Sequence, residues 1–463
     1  MKITLWGAAG DVTGSAYLIE TDQACILVDC GIFQGGKTAE SRNRKLPPVE
    51  ISKLDAVVLT HAHLDHCGRL PLLARENFRK PVYATPATIE ITALILRDSF
   101  KIQKNDLEKL NRRLLRIGKE PVEPVYTEKD VEDVIGLMRP LPYRKDHPVA
   151  PGIQVIANEA GHILGSASIR LVITEKGVAK SVVFSGDLGP KAMPIVRDPD
   201  PFFQADIVFM ESTYGDRDHK SMKDTLNEFD LIIREAIITK GKILIPSFAV
   251  GRTQDLLYYI DSAIRQGRLP GFPIYLDSPM AIEATRIYLR HPELFDEEMT
   301  ELSKGGRFQR DFDRIHTTVS SEESRKINDV QGMCMIIAGS GMCNAGRIQH
   351  HLRHNLWNPD TAVLIVGYQA EGTLGRKLVD GATRVTIFGE RIAVRAHIFK
   401  LGGFSAHAGQ SDLLKWFNAI SPSRPKVVLT HGEDKARIPL AKIIRERYGL
   451  NPLLPRYGDS VEV

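Results

Sequence analysis

Short apolar runs broken by Gly, Asp and Thr dominate the first 75 residues: Ile3 to Trp6, Ala16 to Ile19, Cys25 to Val28 and Ala56 to Leu59 read as strands. From Pro86 to about Gly118 the spacing turns helical, with Ile91, Leu94, Ile95, Leu107, Leu110 and Leu114. Thr127 to Leu137 predicts another helix, capped by Thr127 with Asp130 three residues on. Strands return at Ile153–Ala157, Ser168–Ile173 and Ser181–Phe184. After Ala205 strands alternate with helices: Ile207–Met210, a helix near 223–239, Lys242–Pro246, a helix near 251–265, Ile274–Leu276, Met335–Ala338, a helix near 345–356, and Ala362–Val366. That alternation predicts a parallel sheet flanked by helices, so the chain is α/β. Beyond Arg395 come strand Ala396–Leu401, helix Ser411–Ala419, strand Lys426–Thr430 and helix Ala436–Tyr448. This last part can complete the first domain and make the middle an insertion, which pattern alone leaves open.

The length of 463 residues fits two domains, and 43% apolar with 25% charged residues is ordinary for a globular enzyme. A formal charge of +4 is mildly basic and does not by itself imply nucleic acid. Positive charge is concentrated in Arg97, Lys101, Lys104, Lys109, Arg112, Arg113, Arg116 and Lys119, against Asp98, Asp106 and Glu108; a solvated helix face is the plain reading. The five cysteines form no CxxC pair and are odd in number, so a reducing cytosol fits better than a disulfide framework. No apolar run reaches signal or transmembrane length, and the expected location is cytoplasmic.

The chemistry begins after the strand Ala56–Leu59, at Thr60-His61-Ala62-His63-Leu64-Asp65-His66. Imidazole and carboxylate are the usual ligands of zinc and similar ions, and three histidines with an aspartate so close together are hard to explain by packing. Residues i and i+2 of an extended segment point the same way, so His61 and His63 can hold one ion, with Asp65 and His66 holding a second. Two ions need more donors. Candidates stand where later strands end, beside glycine: His162 in Gly161-His-Ile-Leu-Gly165, Asp187 in Ser185-Gly-Asp-Leu-Gly189, and His431 in Thr430-His-Gly432. Asp29, at the end of Cys25–Val28, can hold the second nitrogen of a ligand histidine.

Together these segments resemble the metallo-β-lactamase superfamily. Met210-Glu-Ser-Thr-Tyr-Gly215, Gly403-Phe-Ser-Ala-His-Ala408 and His431 are similar to motifs A, B and C of its β-CASP branch. IPSFAVGRTQ, LDSPMA, SGMCNAGR and GYQAEGTLGR add to the likeness, which covers essentially the whole chain. The resemblance implies an αβ/βα sandwich over 1–210 and 395–463, with a β-CASP domain, built on a mainly parallel sheet, inserted at 211–394. It implies two zinc ions, one held by His61, His63 and His162 and one by Asp65, His66 and His431, with Asp187 bridging and Asp29 in support; iron or manganese can replace zinc. Histidine at motif C is the habit of members that act on RNA. Within the branch the chain is similar to RNA-processing nucleases such as the cleavage-and-polyadenylation endonuclease subunit, in the compact bacterial form without a KH domain.

The function so implied is hydrolysis of RNA phosphodiesters by a metal-bridging hydroxide, endonucleolytic with room for 5′-exonuclease action. Asp65 and Asp187 serve the centre, and His407, polarised by Glu211, is the candidate general acid. Ser405, Ser340 and Gly341 are candidate donors to backbone phosphates, with Arg347 and Arg353 beside the histidine run at 350, 351 and 354. Single-stranded RNA is the expected partner, no membrane is expected, and a homodimer is compatible with the sequence. A small-molecule metallo-hydrolase of thioesterase or lactamase type is disfavoured by the insertion and the Glu211/His407 pair. An inactive RNA-binding partner is disfavoured because every expected ligand is present.

Overall fold

In the computed structural model the strand Ile153–Glu159 buries every second side chain, Ile153, Val155, Ala157 and Glu159, as a strand packed on one face must. The structure describes residues 1–462 apart from 305, 307–311, 313–314 and 370–371; Ala370 and Glu371 of the GYQAEGTLGR segment therefore lie outside the described residues. It divides into two units. One comprises Met1–Met193, Asp198–Asp218 and His407–Val463, the other Pro194–Arg197 and His219–Ala406.

The first unit holds two sheets. Seven strands lie in the order Ser460–Glu462, Lys2–Leu5, Tyr17–Glu20, Cys25–Val28, Ala56–Val58, Val82–Ala84, Met138–Pro140. Six more run Lys426–Thr430, Ile207–Glu211, Val178–Phe184, Ala167–Glu175, Ile153–Glu159, His147–Ala150. The sheets share one core, in which Ile3, Ile26 and Val58 meet Leu171, Phe184, Phe209 and Val428. The other face of the six-stranded sheet (Val183, Val208, Leu429) is covered by helices Gln410–Ile420 and Asp434–Tyr448 through Leu413, Phe417, Leu440 and Ile444. This is an αβ/βα sandwich. Residues beyond 407 return to it: Lys426–Thr430 pairs in parallel with Ile207–Glu211, and Ser460–Glu462 pairs with Lys2–Leu5.

In the second unit six strands form a parallel sheet, in the order His316–Thr317, Ile274–Asp277, Cys334–Ala338, Lys242–Pro246, Ala362–Ile365, His397–Lys400. A domain junction at 394/395 is corrected here. His397–Lys400 pairs residue for residue with Ala362–Ile365, so it belongs to the parallel sheet and not to the sandwich. A hairpin, Arg384–Ile387 with Glu390–Ala393, precedes it. Helix Glu128–Gly136 opens with the capping box expected at Thr127 and Asp130. Among the described residues no helix is long and apolar enough to cross a membrane.

Candidate metal centre

Every donor expected to bind metal stands at or just past a strand end of the first unit, and the structure brings them together. After Ala56–Val58 the chain runs through Thr60 and His61 into a one-turn helix, Leu64–Cys67, with His63 as N-cap. Gly31 passes so close to this turn that a Cβ there would lie 1.6 Å from the Asp65 carbonyl. Gly189 likewise lets the Asp187 loop pass the His162 loop, since its Cβ would meet the Gly161 carbonyl at 1.7 Å. Asp29 and His431 both sit in the left-handed region, at φ 59 and 46, and backbone bonds from Asp29 N to Val58 O and from His431 N to Ala8 O hold them there.

Two donor sets meet at Asp187. His63 Nδ1 lies 3.1 Å from both His61 Nε2 and His162 Nε2, and Asp187 Oδ2 is 3.5 and 3.6 Å from those two nitrogens. On its other side Asp187 Oδ1 is 3.3 Å from His66 Nε2 and 3.5 Å from His431 Nε2, while Asp65 Oδ2 is 3.7 Å from His431 Nε2. Ligands ~2.1 Å from a small tetrahedral cation are about 3.4 Å from one another, which is the spacing found. Asp187 Oδ1, fully buried, accepts no hydrogen bond from any described residue, which fits a carboxylate oxygen directed at a cation. The residues therefore fit divalent metal: His61, His63, His162 and Asp187 form one group of close donors, and Asp65, His66 and His431 another.

Electrostatics follow from burial and charge. Burial, with the neighbouring imidazole of His66, pushes His61 well below its ordinary value; burial also lowers His63. For His66 burial acts in the same direction but is outweighed by the carboxylates of Asp187 and Asp29, and the net shift is well upward. Asp187 is held well below the carboxylate range, because His431, His66 and His61 overcome its burial.

The supporting bonds are specific. Asp29 Oδ2 lies 2.7 Å from His66 Nδ1, and Asp29 in turn accepts from Thr60 N at 2.8 Å and Thr60 Oγ1 at 2.9 Å. Thr213 Oγ1 is 3.1 Å from His431 Nδ1. Thr60 and Thr213 escape a reading of the sequence. The available signal was that each ligand histidine needs a partner on its far nitrogen, and a threonine stands beside His61 and two residues past Glu211. Asp29→Ala is expected to weaken metal binding about 10–100-fold, measured by competition with a chelating dye. Affinity equal to the parent's would detach Asp29 from the centre.

Glu211 ends its strand almost wholly buried and accepts from Leu188 N at 2.8 Å and Thr213 N at 3.1 Å. Its Oε1 lies 3.2 Å from His407 Nδ1, while His407 Nε2 faces the donor cluster, 3.9 Å from Asp187 Oδ2. His407 is raised to about 9; burial opposes its charge, but Glu211 and Asp187 outweigh it.

Ser405, Ser340, Gly341, Arg347 and Arg353 all lie in the second unit. Arg347 Nη1 donates to Asp277 Oδ1 at 2.6 Å and Thr318 O at 3.0 Å, and Nη2 to Val319 O at 2.5 Å, so the guanidinium also braces the fold. Asp277 is fully buried and also accepts from Thr318 Oγ1, Ser324 Oγ at 2.6 Å and His351 Nε2 at 2.6 Å. Arg353 Nε donates to Glu390 at 2.6 Å. Ser340 Oγ accepts from Ala345 N at 3.3 Å, and Gly341 lies under the ring of Phe248, which a Cβ would meet at 2.6 Å.

Residues 9–235 match the model of the metallo-β-lactamase superfamily, 253–378 that of the Beta-Casp domain, and 391–455 that of the Zn-dependent metallo-hydrolase RNA specificity domain. The chain belongs to the metallo-β-lactamase superfamily, in its β-CASP branch. It is 39% identical over 463 residues, all of both chains, to "Ribonuclease TTHA0252" of Thermus thermophilus. It is 30% identical over 475 aligned positions to "Transcription termination factor FttA" of Methanocaldococcus jannaschii, covering 100% of this chain and 72% of that one. A crystal structure of a protein of unknown function from Enterococcus faecalis V583 shares the fold at TM-score 0.54 and 13% identity, over 100% of this chain and 99% of that one.

Proposed function

We propose that this chain is a metal-dependent ribonuclease that hydrolyses phosphodiester bonds of single-stranded RNA in RNA processing or decay, endonucleolytically and with 5′-exonuclease action. Its ions are two zincs, one held by His61, His63, His162 and Asp187, the other by Asp65, His66, His431 and Asp187. Bound there, such ions acidify water and neutralise phosphate charge.

The observation that carries the reading is the Glu211–His407 pair at the rim of the donor cluster. The His407 side chain is 23% exposed, against 1–4% for His61, His66, His162 and His431; with the part-exposed His63 it is open to a substrate, and its Nδ1 is the one turned to Glu211. Glu211 holds Nδ1 and thereby leaves the mobile proton on Nε2, turned toward the cluster. When water attacks phosphorus the departing 3′ oxygen needs a proton, and His407 Nε2 supplies it. The products are then a 5′-phosphate and a 3′-hydroxyl. A thioester releases a weakly basic thiolate and needs no second imidazole of this kind, whereas an alkoxide leaving group does.

The test incubates purified protein with labelled RNA, single-stranded DNA and a thioester, with and without chelator. RNA cleavage that chelator stops is expected. His407→Ala is expected to lower kcat about 10²–10⁴-fold with metal content unchanged. Full activity in that variant removes the acid assignment; thioester turnover without RNA cleavage removes the nuclease.

A further inference from the structure

The helix Pro86–Arg116 starts against the loop that carries His162. Thr85 and Thr88 donate their hydroxyls to Gly165 O, at 2.6 and 2.8 Å, in the loop that carries His162. The helix buries seven side chains up to Leu96 and none in the 20 residues that follow. At 1.5 Å per residue, Lys104 stands about 27 Å and Arg116 about 45 Å from the helix start.

The two sides of this outer half differ. One side, with Leu107, Asn111 and Leu114 partly covered, carries the returning chain: Asn111 exchanges two hydrogen bonds with Val122, at 3.0 and 2.8 Å, and Gln103 donates to Tyr126 at 2.5 Å. Taking 3.6 residues per turn, Lys101, Lys109, Arg112, Arg113 and Arg116 fall on the opposite side, with Lys104 on its flank. All six are exposed. Among the described residues only Lys109 of the six has an ion pair, with Asp106 at 3.4 Å; Asp98, three residues before Lys101, and Glu108 are the other carboxylates near that side of the outer half. Lys109, Arg112, Arg113 and Arg116 neighbour one another at i,i+3 and i,i+4, where like charges destabilise a helix. A mixed-charge surface helix relieves such repulsion with acids interleaved among the cations, and none stands between Lys109 and Arg116. The natural counterion is an external polyanion.

We propose that this face is a track for the backbone phosphates of single-stranded RNA extending beyond the metal centre. This rests on the ribonuclease reading above, and it assigns the helix a role in gripping long substrates. At a stacked spacing of roughly 3.4 Å per phosphate, about eight nucleotides separate the helix start from Lys104. A tetranucleotide cleaved at the centre does not reach the cations.

The experiment compares the parent with a variant carrying Lys109→Gln, Arg112→Gln, Arg113→Gln and Arg116→Gln, glutamine being a good helix former. Substrates are a 30-nucleotide RNA and a tetranucleotide. On the long RNA the variant is expected to raise KM at least tenfold at 0.1 M salt and leave kcat unchanged. The slope of log(kcat/KM) against log salt should flatten by about 0.7 for each phosphate that the variant no longer neutralises. Tetranucleotide cleavage should be unchanged, and an Arg112→Lys, Arg113→Lys, Arg116→Lys variant should keep the parent KM. Unchanged KM and slope on the long RNA overturn the track. Loss on both substrates overturns it too, by showing damage to the fold, and so does a fall in sedimenting mass, which would make the helix an interface with a second copy. If the parent itself fails to cleave RNA while the control metal assay shows a loaded centre, the ribonuclease reading has failed and the track falls with it.

Discussion

Asp187→Asn is expected to lower kcat/KM for RNA by about a thousandfold or more, since a metal centre contributes several kcal/mol to the transition state and each 1.4 kcal/mol is a decade. Asp187 offers an oxygen to each donor set, alone among the described residues: Oδ2 toward His61 and His162, Oδ1 toward His66 and His431. An amide can present one neutral oxygen but turns an N–H₂ toward the other side, so a shared charge is lost along with a ligand. Metal content by plasma mass spectrometry should fall together with activity. The fold should persist, because Asp187 Oδ1 accepts no hydrogen bond from the described residues that the amide would break. Activity within tenfold of the parent, at full metal content, would show that the two sets work without a common carboxylate.

Asp277→Ala is expected to destabilise the second unit by about 3–5 kcal/mol, the usual cost of deleting one partner of a buried charged network. The carboxylate stands at the end of Ile274–Asp277 and ties Thr318, Ser324, Arg347 and His351 to the parallel sheet. Burial works to raise this carboxyl, but bonds from His351, Ser324, Thr318 and Arg347 outweigh it and hold it well below the carboxylate range. A depressed native value means that its stabilisation is complete above the unfolded value, near ~3.9, and is lost as pH falls through the native one. The difference between parent and variant should therefore be flat from pH 5 to 8 and shrink only in strong acid. Hydrogen exchange reads it locally: peptides over Ile274–Asp277 and Cys334–Ala338 should lose protection in the variant. Protection equal to the parent's at neutral pH would make the network dispensable.

The contrast between these two aspartates shows what a sequence discloses. Asp187 is legible because a donor flanked by glycines at a strand end repeats at His162 and His431, a periodicity of place that packing does not require. Asp277 sits in LDSPMA, also at a strand end, but its partners come from 318, 324, 347 and 351, and no local spacing links them. The run at 350, 351 and 354 shows the same limit. From spacing it is a histidine face, yet His351 points inward to Asp277 while His350 lies against Phe388. Long helices and the capping box at Thr127 were readable from their own residues. The three-residue strands Val82–Ala84 and Met138–Pro140 were not, since they are strands only by virtue of their neighbours. The misplaced junction has the same cause: His397–Lys400 reads as a strand in any sheet, and only its pairing assigns it.

The return of residues 426–462 to a sandwich begun at residue 2 has a consequence during synthesis. Ribosomes deliver the amino-terminal part first, so His61, His63, Asp65, His66, His162 and Asp187 emerge while His431 is still untranslated. One donor set is incomplete until the strand Lys426–Thr430 has left the exit tunnel and docked beside Ile207–Glu211. Until then the group of Asp65, His66 and His431 lacks its last member, whereas that of His61, His63, His162 and Asp187 is already made.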